Sequence, residues 1–202
     1  MSHNIGTSKF NLMAMPKRQP GFTVTELMVV VAILGILSGI AISISGAEWR
    51  RTRVNTVVTE LSGWLEAVRR ASLKGNACQV TITGGDLIGN APLASATEIA
   101  ATGSEITNNC LSNSPLTISS VFATNETMTI SPNGPTIFKF TPRGSVNAQA
   151  DNTPLGSAVV IEVFLTGSTG PKRCVQISPG LGLISIGSSD TSGGTCTYGG
   201  TF

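Results

Sequence analysis

The sequence predicts an α+β protein, a long N-terminal helix followed by a C-terminal antiparallel β domain. Three observations lead there. An uncharged run, Leu27–Ala47, covers 21 residues. An amphipathic helical pattern follows it without a proline until Pro92. Beyond Asn76 the apolar period falls to two, in short β-rich segments set between Gly, Pro, Ser and Asn clusters. One helix and then only strands is an α+β arrangement.

The uncharged run comes first. At 1.5 Å per residue a helix of this length spans about 31 Å, enough for a hydrocarbon core. It is apolar on every face, whereas a buried core helix is usually shorter and amphipathic. It is therefore expected to be transmembrane. Gly35 and Gly39 stand in it as G-x-x-x-G, a spacing that lets helices approach closely.

The helical pattern continues with Val54, Val57, Val58, Leu61, Trp64, Leu65, Val68 and Ala71 at three- and four-residue steps. Arg51, Glu60, Glu66, Arg69 and Arg70 fall between them, and Gly75-Asn76 supply the stop. A helix from about Thr23 to Lys74 would be about 75 Å long. Its first half is expected in lipid or among other helices, its second half on the globular domain.

The expected strands are Cys78–Thr83, Leu116–Ala123, Thr127–Ile130, Thr136–Thr141, Ala158–Leu165, Arg173–Ile177 and Leu183–Ile186, with a hairpin turn at Pro179-Gly180. Gly84–Pro115 reads as a long surface loop and Gly187–Phe202 as an irregular tail.

Composition narrows the function. The 202 residues are 41% hydrophobic but only 12% charged, about half the charge of an average soluble domain. His3 is the one histidine, so any His-based triad or zinc site would depend on it. No catalytic residue, cofactor or metal is expected, and the chain does not read as an enzyme. Gly180-Leu-Gly182 begins like a dinucleotide fingerprint but lacks the third Gly and the following helix. Turn glycines explain it better.

The residues before the run decide between a signal peptide, a plain anchor and something more specific. Lys9, Lys17 and Arg18 suit a positive leader, but the apolar run is too long for a signal peptide. A plain anchor gives no reason for Glu26 at its head, where an isolated carboxylate needs a partner. Pro20-Gly21-Phe22-Thr23-Val24-Thr25-Glu26-Leu27 resembles the type IV prepilins and pseudopilins of bacteria. Their signature is a basic leader ending in Gly, then Phe, a Glu four residues on, and a long apolar helix.

That resemblance implies cleavage between Gly21 and Phe22 by a prepilin peptidase and N-methylation of Phe22. It implies a leader at 1–21, a transmembrane and assembly helix at 22–47, the amphipathic half at 48–76, and a pilin-like β domain at 77–202. Glu26 would set assembly register by pairing with the Phe22 amine of a neighbouring subunit. Partners would be other pilin subunits, the peptidase/methyltransferase and, before assembly, the inner membrane. The N-terminus would be cytoplasmic and the filament periplasmic or extracellular. Charge alone is silent on orientation, since Lys9, Lys17 and Arg18 face Arg50, Arg51 and Arg53 across the run. Met13 and Met15 are alternative starts to Met1, because Met15–Gly21 alone would make a short leader.

Leu65–Ala71, Phe140-Thr-Pro-Arg-Gly144 and Val175–Gly182 resemble the GspH/FimT group, minor pilins and minor pseudopilins. A minor pilin of a type IV pilus is the leading expectation; a minor pseudopilin of type II secretion and a tip subunit binding DNA or a surface are the alternatives. Residues 75–202 carry four basic side chains (Lys139, Arg143, Lys172, Arg173) against seven acidic ones, which disfavours nucleic acid as a partner. Lys172-Arg173 reads either as a small basic patch or as charge protecting a hairpin edge. Arg50, Arg51 and Arg53 read equally as contacts to lipid phosphate or as a solvated helix face.

Cys78, Cys110, Cys174 and Cys196 contain no C-x-x-C, so zinc is not expected. In an oxidising compartment they allow two disulfides in three pairings. Cys78–Cys110 with Cys174–Cys196 is preferred, each closing its own loop and the second pinning the tail.

Overall fold

A computed structural model describes residues 21–99, 105–119, 126–149 and 153–199. The chain forms two compact units, residues 1–43 and 44–202. One helix, α1 (Val24–Ser72), contributes to both.

In the first unit the described helix from Val24 carries apolar side chains on all sides, and they are exposed. Among the described residues no helix is long and apolar enough to cross a membrane. The run expected to cross, Leu27–Ala47, includes residues 40–47, whose side chains lie outside the described ones.

The second unit is built on the C-terminal part of α1 and, among the described residues, twelve strands. Val54, Val57, Val58, Leu61, Trp64, Leu65 and Val68 are all buried in one core. These are the positions that the three-four spacing aligns on one face. Burying each such side chain contributes about 1.5–3 kcal/mol. Arg69 and Arg70 fall in the last turn of α1, where positive charge is favoured by the helix dipole.

The strands form two antiparallel sheets. In the first, β1 (Ala77–Ile82) pairs with β3 (Pro92–Ile99) on one side and with β7 (Ile137–Phe140) on the other. Beyond them lie β4 (Glu105–Asn109) and β8 (Val146–Ala148), and β5 (Leu116–Thr117) also pairs with β3. The second sheet runs in the order β12 (Thr197–Tyr198), β11 (Ile184–Ser189), β10 (Lys172–Ile177), β9 (Val159–Leu165), β6 (Met128–Asn133) and β2 (Gly85–Leu87). Strand β9 shows strict alternation, with Val159, Ile161, Val163 and Leu165 buried. Those four face the core that α1 also lines.

Three expectations need correction. Gly84–Pro115 is not a loop: it supplies β2, β3 and β4. In β3, Leu93, Ala94, Ala96 and Ile99 are buried; small Ala and Ser residues gave the segment a loop-like composition, but they alternate correctly for a strand. The tail from Gly187 is not wholly irregular, because β11 runs on to Ser189 and β12 returns beside it. Strand β8 stands where none was expected. The expected strand Leu116–Ala123 is ordered as β5 at its start, and its residues 120–123 lie outside the described ones, as does His3.

Candidate assembly site on the N-terminal helix

The first turn of α1 is a closed capping arrangement. Thr23 precedes the helix, and its hydroxyl accepts a bond from the Glu26 amide at 3.3 Å. Glu26 reaches back, and its Oε2 accepts from the Thr23 amide and the Thr23 hydroxyl, each at 2.9 Å. This is the reciprocal Thr-x-x-Glu box that satisfies otherwise orphaned helix N–H groups. The signal was legible in the order Thr23, Val24, Thr25, Glu26. The sequence reading weighed Glu26 alone, and Thr23 is the residue it missed. A carboxylate here also meets the positive end of the helix dipole.

The described residues around this turn are exposed. Phe22 is 85% exposed, and Gly21 has open space where a side chain would sit. Gly35 and Gly39 are equally open: beyond their own helix backbone and chain neighbours, no described atom lies within 4 Å of a would-be Cβ. Val24, Leu27, Met28, Val29, Ile33, Leu34, Ile36 and Leu37 are all exposed. A surface of that kind is uncommon on a protein that stays alone in water.

The arginines that follow are tied to the globular unit rather than free. Arg53 bonds Glu126 through Nη1 and lies over the Trp49 ring, 5.2 Å from its centroid. Arg51 sits 3.7 Å from Asp190. An open cavity of about 570 Å³ lies beside Trp49, Arg50, Glu126, Thr127 and Thr166.

At the other end of α1, three separated stretches meet. Arg69 donates from Nη2 to the Leu181 carbonyl at 3.1 Å and, more weakly, from Nε to the Gly144 carbonyl at 3.4 Å. The buried Ser72 hydroxyl lies 3.1 Å from the Thr141 carbonyl oxygen. Gly182 (φ +61°) comes so close that a Cβ there would be 2.8 Å from the Gly144 carbonyl oxygen and from Val146 Cγ2. A bridge between Val146 and Gly180 joins the two sheets at this point. Leu65–Ala71, Phe140–Gly144 and Val175–Gly182 thus surround one node, and Gly180 and Gly182 serve as turn residues in it. Nothing in the spacing of Arg69 marked it in advance, since it reads as one charge among several on the polar face.

Cys78 is bonded to Cys110 and Cys174 to Cys196. The first ties β1 to the segment just after β4, and the second ties β10 to the residue just before β12. Lys172 and Arg173 form neither a basic patch nor a protected edge. They belong to β10, an interior strand, and are 4% and 9% exposed. Lys172 Nζ is 2.9 Å from Glu162 Oε1. Among the described residues no cluster of His, Cys, Asp or Glu is placed to hold a metal ion.

Residues 16–42 match the family described as the prokaryotic N-terminal methylation motif. The N-terminal segment of the chain is therefore similar to that of proteins carrying this motif, and fimbrial proteins share the similarity. Two fimbrial proteins of Pseudomonas aeruginosa are each 48% identical to it over 59 residues, 29% of this chain and 38% of theirs. The type IV major fimbrial protein FimA of Dichelobacter nodosus is 37% identical over 93 residues, 44% of this chain and 60% of that protein. The pilin-like chain therefore spans less than two thirds of the length of these relatives. No solved structure matches it significantly.

Proposed function

We propose that this protein is a structural subunit of a type IV pilus, a minor pilin, assembled through its N-terminal helix. The observation that carries this reading is the Gly21–Phe22 junction with Glu26 one turn beyond it, at the head of an exposed apolar helix. A prepilin peptidase would cleave after Gly21 on the cytoplasmic side, and Phe22 would then be N-methylated. The new ammonium and the Glu26 carboxylate would lie one helical turn apart. In the filament, Glu26 of an incoming subunit would pair with the Phe22 amine of a neighbour. A subunit displaced by a turn would bury an unpaired charge, so the pairing fixes axial register.

In the isolated subunit the Thr23 box gives Glu26 hydrogen-bond partners before the neighbour is met, so the carboxylate does not enter the inner membrane wholly unsatisfied. Leu27–Ala47 would hold the single pass, and Gly35 and Gly39 offer a face for close helix packing. The relatives' names, all fimbrial, favour a pilus over a type II secretion pseudopilin. The node around Arg69, where the three GspH/FimT-like stretches converge, supports the minor subtype. The burial of Lys172 and Arg173 further reduces the basic surface that a DNA-binding tip subunit would use.

The test is made in cells that hold type IV pilus machinery. Mass spectrometry of the mature chain should find N-methylated Phe22 as its first residue. Glu26→Val should be cleaved normally yet be absent from sheared filaments. Normal incorporation of that variant would refute the registry role, and a chain retaining Gly21 in filaments would refute the processing.

A further inference from the structure

The most unusual charge in the globular unit is Arg173. It is 9% exposed, and among the described residues no carboxylate lies within ion-pair distance of it. Its Nε donates to Asn55 Oδ1 at 2.6 Å and its Nη1 to the Lys172 carbonyl at 3.1 Å. Nη2 makes no hydrogen bond among the described residues. Arg173 lines a small cavity of about 220 Å³ together with Asn55, Val58, Thr59 and Ile186.

Burying a guanidinium without an ion-pair partner is costly. Here burial, and next the positive charge of Arg51, lower the Arg173 pKa; Asp190 opposes this. Asp190 is itself the partner of Arg51 and is largely exposed. The nearby carboxylate on β9, Glu162, is taken by Lys172. The cavity thus holds a fixed positive charge with a free pair of donors on Nη2, and it has no acid on its walls. Its volume is below the roughly 300 Å³ at which sites for drug-sized ligands begin. A single compact group fits the space.

We propose that Arg173, oriented by Asn55 and bordered by Thr59, is a receptor for one small oxyanion, a phosphate or a carboxylate. Asn55 fixes the guanidinium plane through Nε, which leaves Nη2 available to an incoming oxygen. Arginine suits this task because its planar donors match oxyanion geometry. The group could arrive as free phosphate or on an acidic side chain of a second copy of the chain. The proposal holds whether or not the protein assembles into a pilus.

The full chain in neutral detergent micelles is melted in sodium phosphate, sodium acetate and sodium chloride at matched ionic strength. A ligand that binds the folded state raises Tm in a saturable way. Phosphate or acetate should raise Tm above chloride. Asn55→Ala should weaken the apparent affinity about tenfold, and Arg173→Gln should abolish the shift. Arg143→Gln, which changes an exposed arginine, should keep it. Should Arg173→Gln fail to fold, Asn55→Ala and Thr59→Val decide by the same reading. A response to acetate alone identifies a side-chain carboxylate as the natural group, and a stronger response to phosphate identifies the free anion. Equal Tm in all three salts, or a shift that survives both Asn55→Ala and Thr59→Val, overturns the proposal.

Discussion

Gly180 and Gly182 allow the node at the end of α1 to be tested by two substitutions that differ in one respect only. Both residues have left-handed backbone, φ +76° and +61°. Alanine at either position therefore meets the penalty of an L-residue in that region, about 1–2 kcal/mol. At Gly180 a Cβ has open space within 4 Å, so Gly180→Ala should cost that amount and little more. At Gly182 the same methyl would sit 2.8 Å from the Gly144 carbonyl oxygen, 2.8 Å from Val146 Cγ2 and 3.3 Å from Phe140 Cε1. Phe140 and Val146 are fully buried, so neither yields easily. Overpacking of this kind adds about 1–3 kcal/mol, and Gly182→Ala should lose about 2–5 kcal/mol in all.

The assay is denaturant unfolding of the full chain, followed by tryptophan fluorescence, in which Trp64, 4% exposed against 57% for Trp49, is the one that unfolding brings into water. Both variants should lower the midpoint with little change in slope, as a loss of stability does. The difference between them measures the contact of Gly182 with Gly144 and Val146. Equal losses would mean that backbone conformation alone requires glycine in this turn. A larger loss at Gly180 would refute the described approach of the β10–β11 turn to β8.

Three further outcomes follow from the geometry. Tyr198 is the one tyrosine in the chain, and burial, with Glu162 second, raises its pKa above the ordinary 10.0. Absorbance titration should show the phenol ionising late, and Glu162→Gln should remove only the smaller part of the delay. The neutral phenol is the form that the fold favours. Its contribution to stability is therefore complete below about pH 10 and is lost as pH rises through the raised pKa. Replacing Cys174 and Cys196 by Ser opens a loop with a sequence separation of 22 and should cost about 3 kcal/mol by the chain-entropy model, read as a lower denaturation midpoint. Thr23→Ala removes the N-cap and should cost about 1 kcal/mol of local helix stability, seen as faster hydrogen exchange at the Val24–Glu26 amides.

How far the sequence could be read depended on how much of the signal lay in apolar side chains. The buried face of α1 follows from spacing alone, because Val54 to Val68 offer no other face for packing. Strands β7, β9 and β10 were equally plain, since Phe138 and Phe140 flank Lys139, Ile161 and Val163 flank Glu162, and Val175 and Ile177 flank Gln176. Strand β3 was hidden because its core-facing residues include Ala94 and Ala96, whose small side chains look like loop composition. They suffice because β1 and β4 pair on both sides and the Cys78–Cys110 bond holds the far end. Gly187 hid the continuation of β11 in the same way. A Cβ there would lie 2.7 Å from the Tyr198 ring, so the strand needs glycine where propensity argues against it. At the site, Thr23 stood in a legible box, whereas Arg69 could not be told from a solvated arginine until Gly144 and Leu181 were seen beside it.

Sparse charge is what makes the individual charges informative. With only 12% charged residues, those that hold a partner can be followed one by one. Arg53 is committed to Glu126, Lys172 to Glu162, Arg51 to Asp190 and Arg69 to two carbonyls. Glu26 is held by its own Thr23. The exposed apolar side chains of α1 from Val24 to Leu37 are the surface through which the proposed filament subunit would associate. Arg173 departs from the rule, being buried, held in orientation and without a carboxylate in ion-pair distance among the described residues. Either the fold tolerates that cost without return, or a partner supplies the missing charge, and the salts named above separate these two cases directly.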